Sequence, residues 1–395
     1  MYCSSLSICM YITLFCYSVL FLSFFFSLCV YTTIDQKKKQ SLLLGTNGFF
    51  FRKKAEKKLG KVVVFGATTA VGQPLALLLK MCPHVRELVC CNTALDGPVP
   101  TVGVAADISH MDTDAQVRYA QDVNDWPAAL HEAQLVLVCS GANFDVLREH
   151  RDAALQATAP AMETVMRAVA TGAPSAAIGI VSSPVNALTP LCAEYLRREN
   201  KFDPRKLFGV TTLDVIRARR LVAKALAKNP YDVNVPVVGG RGGATACPLV
   251  AQTGLRLADE EIMHITMEVQ QYGSPFSEGR RSESTSLTTA VAPPVALGTA
   301  YAAYEFAVSV LKAQRGDYGI VECALVESTM RPETPFFSSR VELGAEGVER
   351  ILPMGRLTAF EEKLIDDAVA ELVKDVEAGM AYAKAGGPAK KTNED

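Results

Sequence analysis

Gly66-Ala67-Thr68-Thr69-Ala70-Val71-Gly72 is a run of small residues lying between an apolar stretch and a leucine-rich one. A dinucleotide needs such a turn, because the backbone must bend sharply and then approach a diphosphate closely. Gly66 and Gly72 suit the first and last positions of that pattern, but Thr69 stands where the close-approach glycine belongs. Its side chain either crowds the phosphate or offers it a hydroxyl hydrogen bond. Asn92 follows the second apolar run, at the point where an acidic side chain ordinarily accepts hydrogen bonds from ribose hydroxyls. An asparagine keeps one carbonyl acceptor there and loses the second oxygen and the charge; read as structure alone, it is a turn residue after a buried strand. No adjacent arginine marks recognition of a 2′-phosphate. A third run, Gly239-Gly240-Arg241-Gly242-Gly243, sets an arginine among glycines. A guanidinium has a pKa above roughly 12, so Arg241 neither accepts nor exchanges a proton near neutral pH.

These residues need a scaffold, and the surrounding pattern predicts one. From Lys61 onward, short apolar runs alternate with helical stretches, as in a sheet of parallel strands joined by crossover helices. Strands are expected at 62–65, 87–91, 135–139 and 178–182, and a first helix carries Leu75, Leu77, Leu78 and Leu79. The small-residue turn then falls at the carboxyl end of the first strand, where a doubly wound sheet binds its ligand and sets phosphate against a helix N-terminus.

Further along, the matches become ordered and spaced. Gly103-Val104-Ala105-Ala106-Asp107-Ile108-Ser109-His110, Ser183-Pro184-Val185-Asn186, Phe208-Gly209-Val210-Thr211-Thr212-Leu213-Asp214-Val215-Ile216-Arg217-Ala218 and Val233-Asn234-Val235-Pro236-Val237-Val238-Gly239-Gly240 occur in turn, followed by Val321-Glu322-Cys323 and Phe360-Glu361-Glu362-Lys363. Together they resemble the NAD-dependent malate dehydrogenases of the lactate/malate dehydrogenase superfamily, of the mitochondrial or organellar type, over residues 61–384. The resemblance implies an α/β fold: a Rossmann doubly wound parallel sheet binding NAD over 61–206, then a smaller α/β substrate and dimerisation domain over 207–384. It also implies a homodimer, with malate and oxaloacetate as substrates.

Site residues follow from the same resemblance, position by position. Asp214 matches the aspartate that orients a catalytic histidine, Arg217 matches one carboxylate-binding arginine, and Arg151 matches the arginine closing the mobile active-site loop. Ser183 replaces the asparagine that helps hold substrate before Pro-Val-Asn. The loop's first arginine falls at Phe144, with Arg148 available only in a shifted register, and Pro293 and Pro294 lie near a later substrate-side serine. Arg241 occupies the histidine's own position. Losing a general base ordinarily costs about 10² to 10⁴ in rate. Of the five histidines, His84, His110, His131, His150 and His264, only His150 borders this machinery, beside Arg151; the plainer account of it is a solvated loop residue.

The departures point to a malate-dehydrogenase-like protein with impaired catalysis. Asp214, released from orienting an imidazole, is expected to pair with Arg241, leaving Arg151 and Arg217 as a clamp for a small dicarboxylate. A pocket closed by its own arginines is equally compatible. The protein then acts by binding, or as a heterodimer with an active homologue. The alternative is an active NAD-dependent malate (2-hydroxy acid) dehydrogenase working through another base.

Composition adds the context. Residues 6–31 form an apolar run within a leader, 1–60, whose first 34 residues carry no charge. That run exceeds the roughly 20 residues needed to cross a bilayer as a helix. Eight basic residues against two acidic ones give the flank from Asp35 to Lys58 a charge of +6, which would keep the large domain on the cytoplasmic side of a membrane. The leader is either such an anchor or a stretch upstream of the true start, and in the second case the protein is cytoplasmic or mitochondrial. A transit peptide fits less well, since an arginine-rich amphipathic pattern is missing. With a formal charge of −2 for the whole chain, residues from Lys61 onward carry about −8, so bulk charge offers nucleic acid no attraction. The eleven cysteines lack metal-ligand spacing, and Cys90, Cys91 and Cys139 read as small apolar core residues in a reducing compartment; no zinc site or disulfide framework follows. Glu361 to Lys374 has apolar residues at helical spacing, expected to pack on the substrate domain. The tail, 385–395, ends Asn393-Glu394-Asp395 and carries no peroxisomal address.

Overall fold

A computed structural model of the chain describes residues 60–141, 151–254, 257–271 and 296–385. The expectations placed on the leader, on Phe144, Arg148 and His150, on Pro293 and Pro294, and on most of the tail lie outside those residues. Six strands run parallel in the order β3-β2-β1-β4-β5-β6: β1 (Gly60–Phe65), β2 (Val85–Cys91), β3 (Gln116–Tyr119), β4 (Leu135–Val138), β5 (Ala177–Ile180) and β6 (Leu207–Val210). This is the strand order of a doubly wound dinucleotide-binding sheet, with its crevice where the order reverses between β1 and β4.

The apolar runs form central strands because both of their faces are covered. Val62, Val64, Leu88 and Cys90 point into one core with Leu75, Leu79 and Phe306, whereas Val63, Phe65, Val89 and Cys91 point into the other with Trp126, Met162 and Leu188. Alternation at period two sends successive side chains to opposite cores. β3 shows no such pattern, since three of its four residues are exposed at the sheet's edge, and it was not anticipated from the sequence. The fourth expected strand stops at Ile180, because the amides of Val181 and Ser182 both turn to the carbonyl of Val138.

The connections are helical: α1 (Gly72–Met81), α2 (Thr101–Ser109), α3 (Trp126–Leu130), α4 (Arg151–Gly172) and α5 (Val185–Arg198). In α1, Leu75 and Leu79 are fully buried while Leu77 is 42% exposed, as a 3.6-residue repeat requires. The seven cysteines among the described residues are free and buried. Burial pushes the Cys90 thiol up to about 12, far from the reactive thiolate range.

Beyond β6 the chain adds α6 (Thr212–Ala225), β7 (Val237–Gly239), β8 (Ala246–Pro248), α7 (Asp259–Gln271), α8 (Ala296–Gln314), β9 (Ile320–Glu327), β10 (Phe336–Gly344), β11 (Gly347–Ile351) and α9 (Ala359–Ala385). β6 pairs antiparallel with β9, so one sheet continues through β9, β10, β7 and β8, with β11 on β10. Val215, Val222, Val235 and Ile265 belong to a third, smaller core under α6 and α7. The C-terminal helix runs well past the expected 374 and packs on β7 and β8, but also along α5 in the parallel half. A Cβ at Gly379 would lie 2.0 Å from the Ala187 carbonyl oxygen, so the two helices touch backbone to backbone there. Helical spacing identified the buried face of α9 and carried no information on which element covers it. Among the described residues no helix is long and apolar enough to cross a membrane; the apolar run at 6–31 lies outside them.

Candidate functional site

The crevice is built first by glycines. Gly66 leaves β1 with φ +80°, and a Cβ there would lie 2.5 Å from the amide nitrogen of Ser140 at the end of β4. A Cβ at Gly72 would lie 1.8 Å from the Gly66 carbonyl oxygen. Both positions therefore exclude a side chain, the first by conformation and contact, the second by contact alone.

Thr69 does not point its hydroxyl outward. Oγ1 donates to the carbonyl of Gly66 at 2.8 Å and accepts the Gly72 amide at 3.0 Å, capping the first turn of α1. Asn92 is likewise turned onto its neighbours: Oδ1 accepts the Thr68 amide at 3.2 Å, and Nδ2 donates to the Thr68 hydroxyl and, at 3.4 Å, to the Val99 carbonyl. The acceptor left by the asparagine is spent on the β1–α1 turn.

Asp96, four residues beyond Asn92, enters the crevice itself. Its carboxylate is buried, and it accepts from the amide and hydroxyl of Thr93, from Ser140 Oγ at 2.8 Å and from the Gly141 amide at 3.2 Å. Burial raises its pKa, while the hydrogen bonds from Thr93, Ser140 and Gly141 work in the opposite direction. Nothing in the sequence singled out this residue beyond an acidic side chain in a loop.

A second cluster forms where α6 meets the loop after β7. Asp214, in the first turn of α6, has no solvent exposure. Arg241 Nη1 donates to both of its oxygens, at 2.9 and 3.1 Å; Arg217 Nη1 donates at 3.1 Å from one turn along; the Gly242 amide donates at 2.8 Å. Two guanidiniums thus converge on one carboxylate. The side chains of Arg217 and Arg241 are 10% and 17% exposed, so both stand close to the protein interior. Desolvating an ion pair costs several kcal/mol per ion, about what attraction and hydrogen bonding return, so the cluster locks geometry more than it adds stability.

The loop holding Arg241 is braced from α5 and α9. Asn186 Oδ1 accepts the Arg241 amide at 2.7 Å, and Asn186 Nδ2 donates to Thr245 Oγ1 at 3.1 Å and to Asp375 Oδ2 at 3.0 Å. A Cβ at Gly240 would lie 2.6 Å from Thr245 Oγ1, and Gly239 and Gly242 take φ values of +96° and +70°, which accounts for the glycines on either side of the arginine. Asn186 closes the Ser-Pro-Val-Asn run, so its presence was visible in the sequence, but its bracing role was not. Ser183 is exposed just before α5, with no contact to the Asp214 cluster among the described hydrogen bonds. Arg151 opens α4; its side chain lies outside the described residues.

Two family models match the chain nearly end to end over the described fold: the lactate/malate dehydrogenase NAD binding domain over residues 60–209, and the lactate/malate dehydrogenase alpha/beta C-terminal domain over 211–383. The chain belongs to the lactate/malate dehydrogenase family. Among its relatives, a glyoxysomal malate dehydrogenase of Oryza sativa subsp. japonica is 39% identical over 353 residues, covering 88% of this chain and 93% of the rice protein. A malate dehydrogenase of Vibrio atlanticus is 37% identical over 82% of this chain and 100% of its own length. Solved structures agree in fold: a lactate dehydrogenase from Eimeria maxima with NADH and oxamate superposes with a TM-score of 0.66 at 20% identity, covering 83% of this chain and 96% of that one. The malate dehydrogenase from Aeropyrum pernix gives 0.63 at 19% identity, covering 80% and 97%.

Measured against that family's cofactor, the crevice fits only in part. Gly66 and Gly72 leave the backbone close to where a dinucleotide's diphosphate would run. The Thr69 hydroxyl and the Asn92 amide are engaged within the protein, and a carboxylate, Asp96, bridges the chain just beyond β2 and just beyond β4.

Proposed function

We propose that this malate-dehydrogenase-like chain is a catalytically impaired member of its family, one that binds rather than turns over small dicarboxylates. The observation that carries the proposal is the pair made by Arg241 and Asp214, with Nη1 at 2.9 and 3.1 Å from the two carboxylate oxygens. Interconverting malate and oxaloacetate requires a group that takes up and returns the hydroxyl proton. Arg241 cannot exchange one, and its pairing engages the aspartate that would otherwise orient a base. Arg217, beside it, supports a carboxylate-binding role, because a guanidinium matches a carboxylate in charge and in fork geometry.

The test is oxaloacetate-dependent NADH oxidation by the full chain and by Arg241→His, each produced in a host lacking its own malate dehydrogenase. Activity in the unmodified protein would sink the proposal and direct attention to His150. Recovery in Arg241→His alone would assign the defect to the lost base. Malate and oxaloacetate titrations by calorimetry address binding separately: no heat at millimolar ligand would remove the dicarboxylate role.

A second role follows from the family resemblance. The malate dehydrogenase resemblance implies a dimer, and the chain keeps three filled cores with which to form one. We infer that the chain pairs with itself or with an active homologue. Co-purification with such a homologue would support the mixed pair, and exclusive self-association would argue against it.

A further inference from the structure

Asp96 links three carboxyl-terminal strand ends at once. Its carboxylate is held by Thr93, just beyond β2, and by Ser140 and Gly141, just beyond β4; its backbone carbonyl accepts the Thr68 hydroxyl of the β1–α1 turn at 3.4 Å. The ends of β1, β2 and β4 bound the place where a doubly wound sheet receives its ligand. The donors gathered there, two backbone amides and two hydroxyls, are the kind that bind phosphate oxygens, and here an internal anion takes them.

We propose that Asp96 is an affinity-determining residue for the dinucleotide: the connection between β2 and α2 places its carboxylate in the crevice as a built-in competitor of the diphosphate, and NADH binds only when Asp96 is displaced. This rests on the chain keeping the family's crevice, as the proposed function assumes, and is independent of the proton chemistry at Arg241. Two physical terms support the competition. A diphosphate brought beside an ionised Asp96 meets like charge in a poorly solvated place. The amides of Thr93 and Gly141 and the hydroxyl of Ser140 cannot serve both anions with good geometry. The carboxylate is also held under tension, since burial works against its charge while four hydrogen bonds retain it.

The experiment is an NADH fluorescence titration of the full chain and of Asp96→Asn, Asp96→Ala and Thr93→Val, each checked for folding by circular dichroism. Thr93→Val removes the hydroxyl's bond to Asp96 and a long one from the Leu95 amide at a partly exposed position, and keeps the measurement usable if the Asp96 variants unfold. Displacing a competitor that occupies the competent site most of the time should tighten NADH at least about tenfold in Asp96→Ala, with smaller gains in the same direction for Asp96→Asn and Thr93→Val. Unchanged affinity in every folded variant, weaker binding, or no binding in any of them at millimolar NADH would overturn the proposal. Hydrogen exchange gives a readout apart from affinity. NADH bound to the unmodified chain should deprotect the Asp96 amide, which donates to the Thr93 carbonyl at 3.2 Å while Asp96 occupies the crevice, and its continued protection would also overturn the proposal. Because neither readout involves turnover, failure here leaves the Arg241 proposal untouched, and failure there leaves this one standing.

Discussion

Arg241 grips Asp214 through a single guanidinium nitrogen, Nη1, which lies 2.9 Å from one carboxylate oxygen and 3.1 Å from the other. Around this pair, Arg217 and the Gly242 amide supply the remaining donors to a carboxylate with no access to water. The arrangement makes the three charged residues unequal in a mutational series.

Asp214→Ala removes the carboxylate that two guanidiniums share, and removing one partner of a buried pair costs about 3–5 kcal/mol. Arg241→Met leaves Asp214 with Arg217 and the Gly242 amide, so its loss should be smaller, about 1–3 kcal/mol. Urea denaturation at pH 7 orders the two variants. Equal losses would mean that the aspartate is not the hub of the cluster.

If Arg241 stands in place of a base, as proposed, supplying one should be visible in kinetics. Arg241→His is expected to exceed the unmodified chain by about 10² or more in oxaloacetate reduction, the lower range of what a general base contributes. The gain should follow the ionisation of the new imidazole in a pH profile. A rate increase without that profile would point to relief of crowding rather than to proton transfer.

Thr69 serves α1 through its hydroxyl, so Thr69→Val should cost about 1 kcal/mol, the usual loss for a removed cap. Thr69→Gly should lose only a few tenths, because glycine is itself tolerated at a cap. The glycine variant also removes the side chain from the turn and should tighten NADH, where the valine variant should not. Thermal melts and an NADH titration on the same two proteins test both statements.

Glu322, on β9, titrates in an accessible range. Burial pushes its carboxyl up to about 7 from an ordinary 4.5, the Ser309 hydroxyl and Arg219 pulling down and Glu305 pushing up. The folded chain therefore holds a proton that the unfolded chain releases between those values. Stability should fall as pH rises from about 4.5 to about 7, by up to about 3 kcal/mol, and stay level above. Glu322→Gln should flatten that slope in denaturant midpoints measured across pH, and an unchanged slope would assign it to other groups.

The sequence by itself determined the family and four of the six parallel strands. The apolar runs at β1, β2, β4 and β5 are long enough and covered on both faces, so composition alone marks them as central strands. It also determined that Arg241 stands among glycines, because residue identity at a spaced motif needs no coordinates. β3 escaped because an edge strand buries little and so leaves no apolar signature. Only the tertiary structure decided what the polar residues do. Thr69 and Asn92 looked equally able to face a ligand or the protein, and the hydrogen bonds that turn them inward come from Gly66, Gly72, Thr68 and Val99. Asp96 was a loop aspartate until the ends of β2 and β4 came together around it, 44 residues apart in the chain at Ser140. A hydrogen bond is short-ranged and directional, whereas hydrophobic patterning is local and repetitive; the second can be read along a chain, and the first exists only once distant segments meet.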